Sequence, residues 1–252
     1  MSMNNIRLSA LQEAIAQKWQ EILEQPQALQ FAGSLMGKDR RVYALYLTQV
    51  YHYAWHTARN QALVAVNPTN KDIHYMQFCL EHALEETGHE LMALHDLRSM
   101  GIVIDDPERQ MPPALPATRL LIAYLYNVAQ QGNPLQRLGY SFWAETSYAH
   151  IREFMDALSE NMQLDKKQMT FFYSHSAIDD KHAKDVENIL LKCCKTDQDW
   201  EAVTETAHIT LDLTHGILKA VLDEYEKLVR EEPSSYTLVN QAMKAKETGM
   251  NV

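Results

Sequence analysis

The chain has 252 residues, enough for one domain with a sizeable core, and only 8 glycines and 8 prolines interrupt its helix-favouring runs. We therefore expect a single all-α domain with almost no strand. The net charge of −10 excludes partners that bind by phosphate neutralisation, so neither nucleic acid nor a membrane surface is expected as a ligand.

The N-terminus and the cysteines indicate the compartment. The first residues, MSMNNIRLSALQEAI, lack the charged and then apolar layout of a signal peptide, and no stretch approaches the roughly 20 apolar residues that cross a bilayer. Cys79, Cys193 and Cys194 form an odd set without zinc-type spacing, as in proteins with reduced thiols. The expected location is cytoplasmic.

Apolar periodicity and chain breakers predict about seven helices. The first predicted helical segments cover residues 8–25, a short stretch ending at Gly37, 39–66 and 70–101. The later segments cover 117–131, 134–160, 165–194 and 197–231, with Asp165 and Thr196 as N-caps of the last two. The helical domain is predicted over residues 1–232, followed by a polar and loosely held tail over 233–252.

One irregular connection, GIVIDDPERQMPPALP over residues 101–116, separates two groups of predicted helices. Its prolines and the turn signal Asp105-Asp106-Pro107 oppose a regular helix. We expect this connection to lie over the core as a lid.

The sequence HSAIDDKH, in the helix predicted over 165–194, carries a candidate metal site. His175, Asp179 and His182 fall within roughly 60° of one another at about 100° per residue, in the same sector as the apolar residues of that helix. Buried polar groups need partners, and two imidazoles with a carboxylate are natural ligands of a divalent first-row metal.

The sequence EETGHE offers a second pair of ligands. Glu86 and His89 are spaced i, i+3 on an apolar helix face, and Glu-x-x-His is a common way for helical bundles to offer two ligands to an ion. Glu85 lies on the other flank of the same stripe and is an alternative to Glu86. His82 and Asp96 also point inward and are expected to support the ligands from behind.

A third carboxylate, Glu145, shares its helix face with Leu138 and Phe142 and is predicted to face the core, although Arg152 is an alternative partner for it. Because candidate ligands on three predicted helices all face the core, we expect them to form one site. Its expected ligands are Glu86, His89, Glu145, His175, Asp179 and His182. Three carboxylates and three histidines suit two metals better than one, and iron is the first choice, with manganese as the alternative.

Two further histidine-containing faces have other interpretations. Glu205, His208, Asp212 and His215 share a face that looks equally suited to a metal by spacing alone. The apolar stripe of that helix lies on roughly the opposite side, so the face is predicted to be mostly solvated. In the segment 39–66, His52 and His56 share a side, and we expect them to line a pocket.

The order of these motifs resembles the haem-oxygenase-like di-iron oxidases, a family of iron-containing redox enzymes. Glu-x-x-His, the following ELMALHDLRSMG, an inward Glu and His-x3-Asp-x2-His match in order and spacing over residues 39–195. The resemblance implies a single-domain seven-helix bundle of the haem-oxygenase-like (TenA/PqqC) type. It also implies that Glu86, His89, Glu145, His175, Asp179 and His182 hold two iron ions, with O2 as cosubstrate.

The compact EETGHE form is nearest to the undecene-forming fatty-acid decarboxylase. Several other members place the first carboxylate farther upstream, so the choice between Glu86 and Glu85 stays open. Haem oxygenases carry their axial histidine on the first helix, and the first 51 residues here contain none. Thiaminase-type members need a cysteine by the cleft, which the sequence WAETSYAH does not offer.

The resemblance therefore implies a non-haem di-iron oxidase or oxygenase acting on a small carboxylate-bearing or amino-acid substrate, with His52, His56 and Tyr148 expected in the pocket wall. Two alternatives share the fold: a metal-free helical binding or interaction protein, and a cofactorless PqqC-like oxidase. The bond cleaved and the oligomeric state, a homodimer included, stay open.

Overall fold

The computed structural model describes residues 2–247, except for the side chains of residues 148–150, 175–180 and 243–247. In this range the chain is helical and has no strand, which confirms the predicted all-α class. The α-helices are α1 Met3–Leu23, α2 Pro26–Leu35, α3 Arg41–Val66, α4 Ile73–Glu85, α5 Glu90–Ser99, α6 Pro107–Gln110, α7 Pro116–Gln130, α8 Arg137–Thr146, α9 Tyr148–Met162, α10 Thr170–Cys193, α11 Asp197–Val229 and α12 Thr237–Glu247.

Two predicted helices are each broken in two. The segment predicted over 70–101 contains α4 and α5, separated at Gly88, whose φ of +94° lies in the left-handed region that favours glycine. The segment predicted over 134–160 contains α8 and α9, which meet at Ser147. Thr196 caps α11 as predicted, while Asp165 caps a short 3-10 turn that precedes α10.

The centre of the bundle is formed by α3 and α11. Residues 42–45 of α3 are all fully buried, so the start of this helix is covered on every side. It packs against α4, α5, α7 and α11, whereas α11 also contacts α1 and α8. The helix α10 lies against α4, α5 and α8, so the three regions that carry the predicted ligands are direct neighbours.

Gly139 sets the distance between α8 and α11. A β-carbon at this position would lie 2.1 Å from the carbonyl oxygen of Val203 and 2.8 Å from the backbone nitrogen of Ala207, which is far inside van der Waals contact. The backbones of the two helices therefore approach as closely as glycine permits. Glu145 lies on a different face of α8, where it faces His82 of α4 and His182 of α10.

The segment after α11 is more ordered than predicted. Tyr236 and Val239 are buried, and the Tyr236 hydroxyl accepts a hydrogen bond from Gln49 and donates one to the carbonyl of Pro113. The prediction of a loosely held tail is wrong for this segment, because one aromatic and one aliphatic side chain anchor it to the core. None of the helices in residues 2–247 has the length and apolar character needed to cross a bilayer.

Candidate metal centre

Four buried side chains from three regions of the chain form a compact group: His82 on α4, Glu86 at the end of α4, Glu145 on α8 and His182 on α10. One potential ligand atom from each lies within 4.8 Å of the others. Exposure of these residues is between 1 % and 9 %, so bulk water does not solvate them. Two carboxylates and two imidazoles thus meet in a dry interior.

The atoms that face one another in this group are close but poorly paired. His82 Nε2 lies 3.2 Å from Glu145 Oε1, and His182 Nδ1 lies 3.3 Å from Glu145 Oε2 and 3.5 Å from Glu86 Oε1. Nevertheless, both nitrogens of His82, Nδ1 of His182 and Oε1 of Glu86 lack a hydrogen-bond partner. Buried polar atoms without partners are uncommon and call for a missing ligand.

Two of these side chains, Glu86 and His182, are oriented by contacts on the side that faces away from the group. Glu86 Oε2 lies 3.1 Å from Nδ1 of His89, which leaves Oε1 facing the group. Likewise, Nε2 of His182 lies 3.0 Å from Oε2 of Glu85, which favours a proton on Nε2 and turns Nδ1 toward the group. A carboxylate behind an imidazole is the usual arrangement behind metal-binding histidines.

The electrostatics of the group favour a positive charge beside Glu145. Burial acts to raise the pKa of Glu145, but the imidazoles of His182 and His82 outweigh it and hold that pKa below its ordinary value. Burial acts to lower the pKa of His182, and the carboxylate of Glu145 reverses this and raises it. Either a proton or a metal ion supplies the positive charge that the carboxylates require.

The donor set fits a divalent first-row metal. Imidazole nitrogen and carboxylate oxygen together suit iron or manganese, and the thiolates that would favour other metals are absent from the group. The unpartnered atoms of His82, His182 and Glu86 are those that an ion would satisfy.

The structure brings three of the six predicted ligands into this group, namely Glu86, Glu145 and His182. His89 stands next to it through its contact with Glu86. The side chains of His175, Asp179 and the predicted pocket residue Tyr148 lie outside the described residues. Glu85, the alternative to Glu86, is largely exposed and pairs with Lys181 at 2.7 Å, with its pKa lowered chiefly by that contact.

His82 occupies a more central place than predicted. The sequence predicts a supporting role for His82, whereas its side chain lies one helical turn before Glu86 and faces Glu145 directly. The available signal was the His-x3-Glu spacing of His82 and Glu86, which places both side chains on one face of α4.

Asp96 does not support the metal ligands as expected. Its carboxylate accepts hydrogen bonds from the backbone nitrogens of Thr170 and Phe171 and from the Thr170 hydroxyl, at 2.6–3.0 Å. These groups lie at the start of α10, where unpaired N–H groups attract a negative charge. Asp96 thus anchors the helix that carries His182.

A cavity of about 140 Å³ adjoins the group, and His82, Glu86 and Glu145 form part of its wall. His52 and His56, which are expected in the pocket wall, do not line this cavity. Residues 53, 54 and 57 of α3 line it instead, while His52 contacts the Pro112 carbonyl and His56 contacts the Tyr126 hydroxyl. Because α3 buries residues on more than one of its faces, its apolar pattern does not identify the cavity face.

The connection over 101–116 does not act as a lid on this cavity. Among the described residues that line the cavity, none comes from this connection. Ile102 and Ile104 are buried, and the backbone nitrogen of Leu115 donates to Gln49 of α3. The connection is therefore packed along α3 instead of covering the site.

The histidine-containing face of α11 is partly solvated. Glu205 and Asp212 are exposed, Asp212 pairs with Lys18 at 2.6 Å, and His208 and His215 are half-buried. Within the described part of the chain these residues do not form a second group of converging ligands. Arg152, the other partner considered for Glu145, is exposed on α9.

Solved structures with the same fold cover most of the chain. A domain of unknown function with a haem-oxygenase-like fold from Shewanella denitrificans OS217 is 40 % identical, with a TM-score of 0.83, over 90 % of this chain and 97 % of that one. A TenA homologue from P. horikoshii OT3 is 13 % identical with a TM-score of 0.65, over 86 % and 98 %. A TenA homologue from Pyrococcus furiosus is 15 % identical with a TM-score of 0.64, over 84 % and 99 %.

No curated protein matches this sequence. The model of a family described as iron-containing redox enzyme matches residues 44–215, a range that includes His82, Glu86, Glu145 and His182. The match spans more than half of the chain, and the 40 % identical relative has the corresponding haem-oxygenase-like fold. The chain therefore belongs to the iron-containing redox enzyme family with the haem-oxygenase-like fold.

Proposed function

We propose that this protein is a non-haem di-iron oxidase or oxygenase that uses O2 to oxidise a small organic substrate bearing a carboxylate or amino-acid group. The single observation that carries the proposal is the buried group of His82, Glu86, Glu145 and His182, in which facing atoms lack hydrogen-bond partners. Membership of an iron-containing redox enzyme family supports the same conclusion.

The proposed ligands are the six residues predicted from the sequence together with His82. Iron bound by them would supply redox chemistry with O2 that no amino-acid side chain provides. The number two rests on the predicted donor set, because three carboxylates and three histidines suit two ions better than one. The free and buried state of Cys79, Cys193 and Cys194 agrees with the expected cytoplasmic location.

The protein's own residues have three tasks in this proposal. The carboxylates of Glu86 and Glu145 provide negative charge that holds divalent cations in a low-dielectric interior. Glu85 keeps the proton of His182 on Nε2, away from the metal side. Aromatic side chains such as Trp143 and Phe172 line the adjoining cavity and exclude water from a bound substrate.

The TenA neighbours share the fold at 11–15 % identity, and an identity this low does not transfer their function to this chain. One of them is named a TenA family transcription regulator, from Silicibacter sp. TM1040. We do not extend that description to this chain, because its acidic composition opposes nucleic-acid binding.

The proposal is tested by anaerobic loading with ferrous iron, removal of unbound metal, and elemental analysis. We expect about two irons per chain in the wild type, as helical carboxylate–histidine sites bind. The variants Glu86→Gln and Glu145→Gln should retain less than half of that iron, because each loses a charged ligand. Glu81→Gln, at an exposed glutamate of α4, is the matched control, and Glu85→Gln tests the alternative first ligand.

Three outcomes would contradict parts of the proposal. A wild-type chain that binds no iron and melts at the same temperature with and without it would favour the metal-free alternative. One iron per chain would exclude the di-iron form. Iron loss in Glu85→Gln but not in Glu86→Gln would make Glu85 the first ligand. For the redox activity, O2 consumption by the iron-loaded protein is compared with that of Glu145→Gln.

A further inference from the structure

A surface groove between α4 and α10 contains a lysine held between two carboxylates. Nζ of Lys181 lies 2.7 Å from Oε1 of Glu85 and 3.3 Å from Oδ2 of Asp185. Glu85 is the last residue of α4, whereas Lys181 and Asp185 lie one turn apart on α10. All three side chains line the groove, which has a volume of about 310 Å³. The ammonium group therefore occupies a point where carboxylates from two helices converge.

These three side chains are accessible to ions in solution. The exposed fraction is 63 % for the side chain of Lys181, 42 % for Glu85 and 43 % for Asp185. Exposed ion pairs of this kind hold their partners weakly, and lysine carries its charge on a flexible stem. A divalent cation has twice the charge of an ammonium group and binds carboxylate oxygens. Such an ion can therefore take the place of the Lys181 ammonium.

The same end of the groove adjoins the candidate metal centre. The other oxygen of Glu85, Oε2, lies 3.0 Å from Nε2 of the buried His182. His82 belongs both to the wall of the groove and to the wall of the cavity beside Glu145. The His82 side chain is 3 % exposed, and neither of its ring nitrogens has a hydrogen-bond partner among the described atoms. One imidazole ring thus separates the groove from the metal group.

Positive charge is unevenly distributed along the groove. The helices α4 and α10 run in opposite directions here, because Glu85 contacts Lys181 at one end and Asp72 contacts Cys193 at the other. Lys192, which also lines the groove, lies three turns after Lys181, or about 16 Å along the helix axis. Among the described residues of the groove wall, Lys181 is therefore the one cation beside Glu85 and Asp185.

The cavity on the other side of His82 is less suited to the passage of a hydrated cation. Its wall consists largely of aromatic and apolar side chains, such as Trp143 and Phe172, and it includes the cation Arg137. Such a surface offers few oxygen ligands to a metal ion and repels it at the guanidinium. The groove provides carboxylates instead.

We infer that the groove between α4 and α10 is the route by which divalent metal ions enter the buried group, with Glu85 and Asp185 as the first binding point and Lys181 as the side chain that an incoming ion displaces. The inference rests on the proposed function in taking the group around Glu145 as a metal site. A residue of an entry route changes the rates of uptake and release, whereas a metal ligand changes the amount bound at equilibrium.

The first test measures these rates in Lys181→Gln. Uptake of ferrous iron is followed under nitrogen by stopped-flow tryptophan fluorescence, because Trp143 lies on the cavity wall next to the metal group. Release is followed by the absorbance of excess ferrozine. Both rates should rise at least about threefold, because the competing charge is gone, and the iron content at equilibrium should stay the same. Lys184→Gln, at an exposed lysine of α10 outside the groove wall, is the control and should match the wild type.

Asp185→Asn should have the opposite effect on uptake. Removing one carboxylate from the first binding point should slow uptake at least about threefold without changing the iron content at equilibrium. Glu187→Gln, on the same helix and outside the groove wall, is the matched control. Wild-type rates in both Lys181→Gln and Asp185→Asn would overturn the inference. A lower iron content in Asp185→Asn would make Asp185 a ligand and would also contradict it.

A second test changes the sign of the charge at one position. The variant Lys181→Cys is labelled with a methanethiosulfonate reagent that carries either a trimethylammonium or a sulfonate group; the native cysteines are buried, which directs the label to position 181. Uptake should be faster with the negative label than with the positive one. Lys184→Cys, labelled in the same way, should show a smaller difference. Equal rates for both labels at position 181, or equal differences at both positions, would exclude entry through the groove.

The wild-type measurement separates this inference from the proposed function. A wild-type chain that takes up no iron would refute the proposed function and the entry route together. A wild-type chain that fills with iron at rates that no change at Lys181 or Asp185 alters would leave the proposed function standing and refute the entry route alone.

Discussion

The Nε2 atom of His82 and the Oε1 atom of Glu145 lie 3.2 Å apart in the interior, and yet His82 Nε2 has no hydrogen-bond partner. Two polar groups in this relation each retain the capacity to bind a third partner. A divalent cation would satisfy both at once, whereas an empty site leaves desolvated groups that oppose folding.

Metal binding should therefore stabilise the protein. At a free ferrous or manganous concentration 100 times the dissociation constant, linkage adds about 2.7 kcal/mol to the free energy of unfolding. For a chain of this size that raises the melting temperature by about 5–10 °C. Differential scanning calorimetry under nitrogen measures this rise in melting temperature, and adding a chelator should reverse it. His82→Gln should reduce the shift, while His208→Gln on α11 should leave it intact; equal shifts in both variants would count against His82 as a ligand.

Gly139→Ala should destabilise the protein. The added methyl group would meet the backbone of α11 at Val203 and Ala207, which cannot move aside as a side chain can. We expect a loss of about 1–3 kcal/mol, the usual cost of overpacking. Urea unfolding measures it. Gly33→Ala and Gly216→Ala are matched controls in helices with free space around the glycine, and both should be neutral or more stable by up to about 1 kcal/mol.

Asp96→Asn should loosen the start of α10. The carboxylate accepts three hydrogen bonds from Thr170 and Phe171, and an amide replaces one acceptor oxygen with a donor that faces N–H groups. A loss of about 1–3 kcal/mol is expected, together with weaker iron binding because α10 carries His182. Asp72→Asn, at the half-buried N-cap of α4, is the control and should cost about 1 kcal/mol or less. If the two variants lose the same free energy of unfolding, Asp96 does not anchor α10.

His56 should contribute to acid sensitivity. Burial lowers the pKa of His56 to about 4, against an ordinary value of about 6.5 in the unfolded chain. Between these values the unfolded state binds the additional proton, so stability is lost as the pH falls from 6.5 toward 4. The urea concentration at the midpoint of unfolding should therefore differ less between about pH 7.5 and pH 5 in His56→Gln than in the wild type. His74→Gln, at an exposed position, controls for the substitution, and an unchanged pH dependence in His56→Gln would refute the contribution.

Much of the fold follows from local signals in the sequence. The N-cap signal at Thr196 and the scarcity of chain breakers correctly predict helices and the start of α11. The position of Glu145 on the core side of α8 follows from its apolar neighbours at helical spacing. These inferences succeed because each depends on contacts within one helix or on one buried face.

Other features depend on how separate helices meet. The sequence predicts one continuous helix across EETGHE, but the left-handed backbone at Gly88 separates α4 from α5, and Glu86 and His89 lie in the turn between them. Asp96 faces inward as expected, but its partners lie at the start of α10, more than 70 residues away. His82 looks equivalent to any inward histidine until Glu145 is placed opposite it.

The close contact of Gly139 with α11 has a practical consequence for altering what the cavity accepts. Because the α8 backbone already lies against the carbonyl of Val203, the side of the cavity formed by α8 cannot move outward. Protein engineers who want to admit bulkier molecules should truncate side chains on the facing wall, at Phe172 or Ile151, and leave α8 untouched.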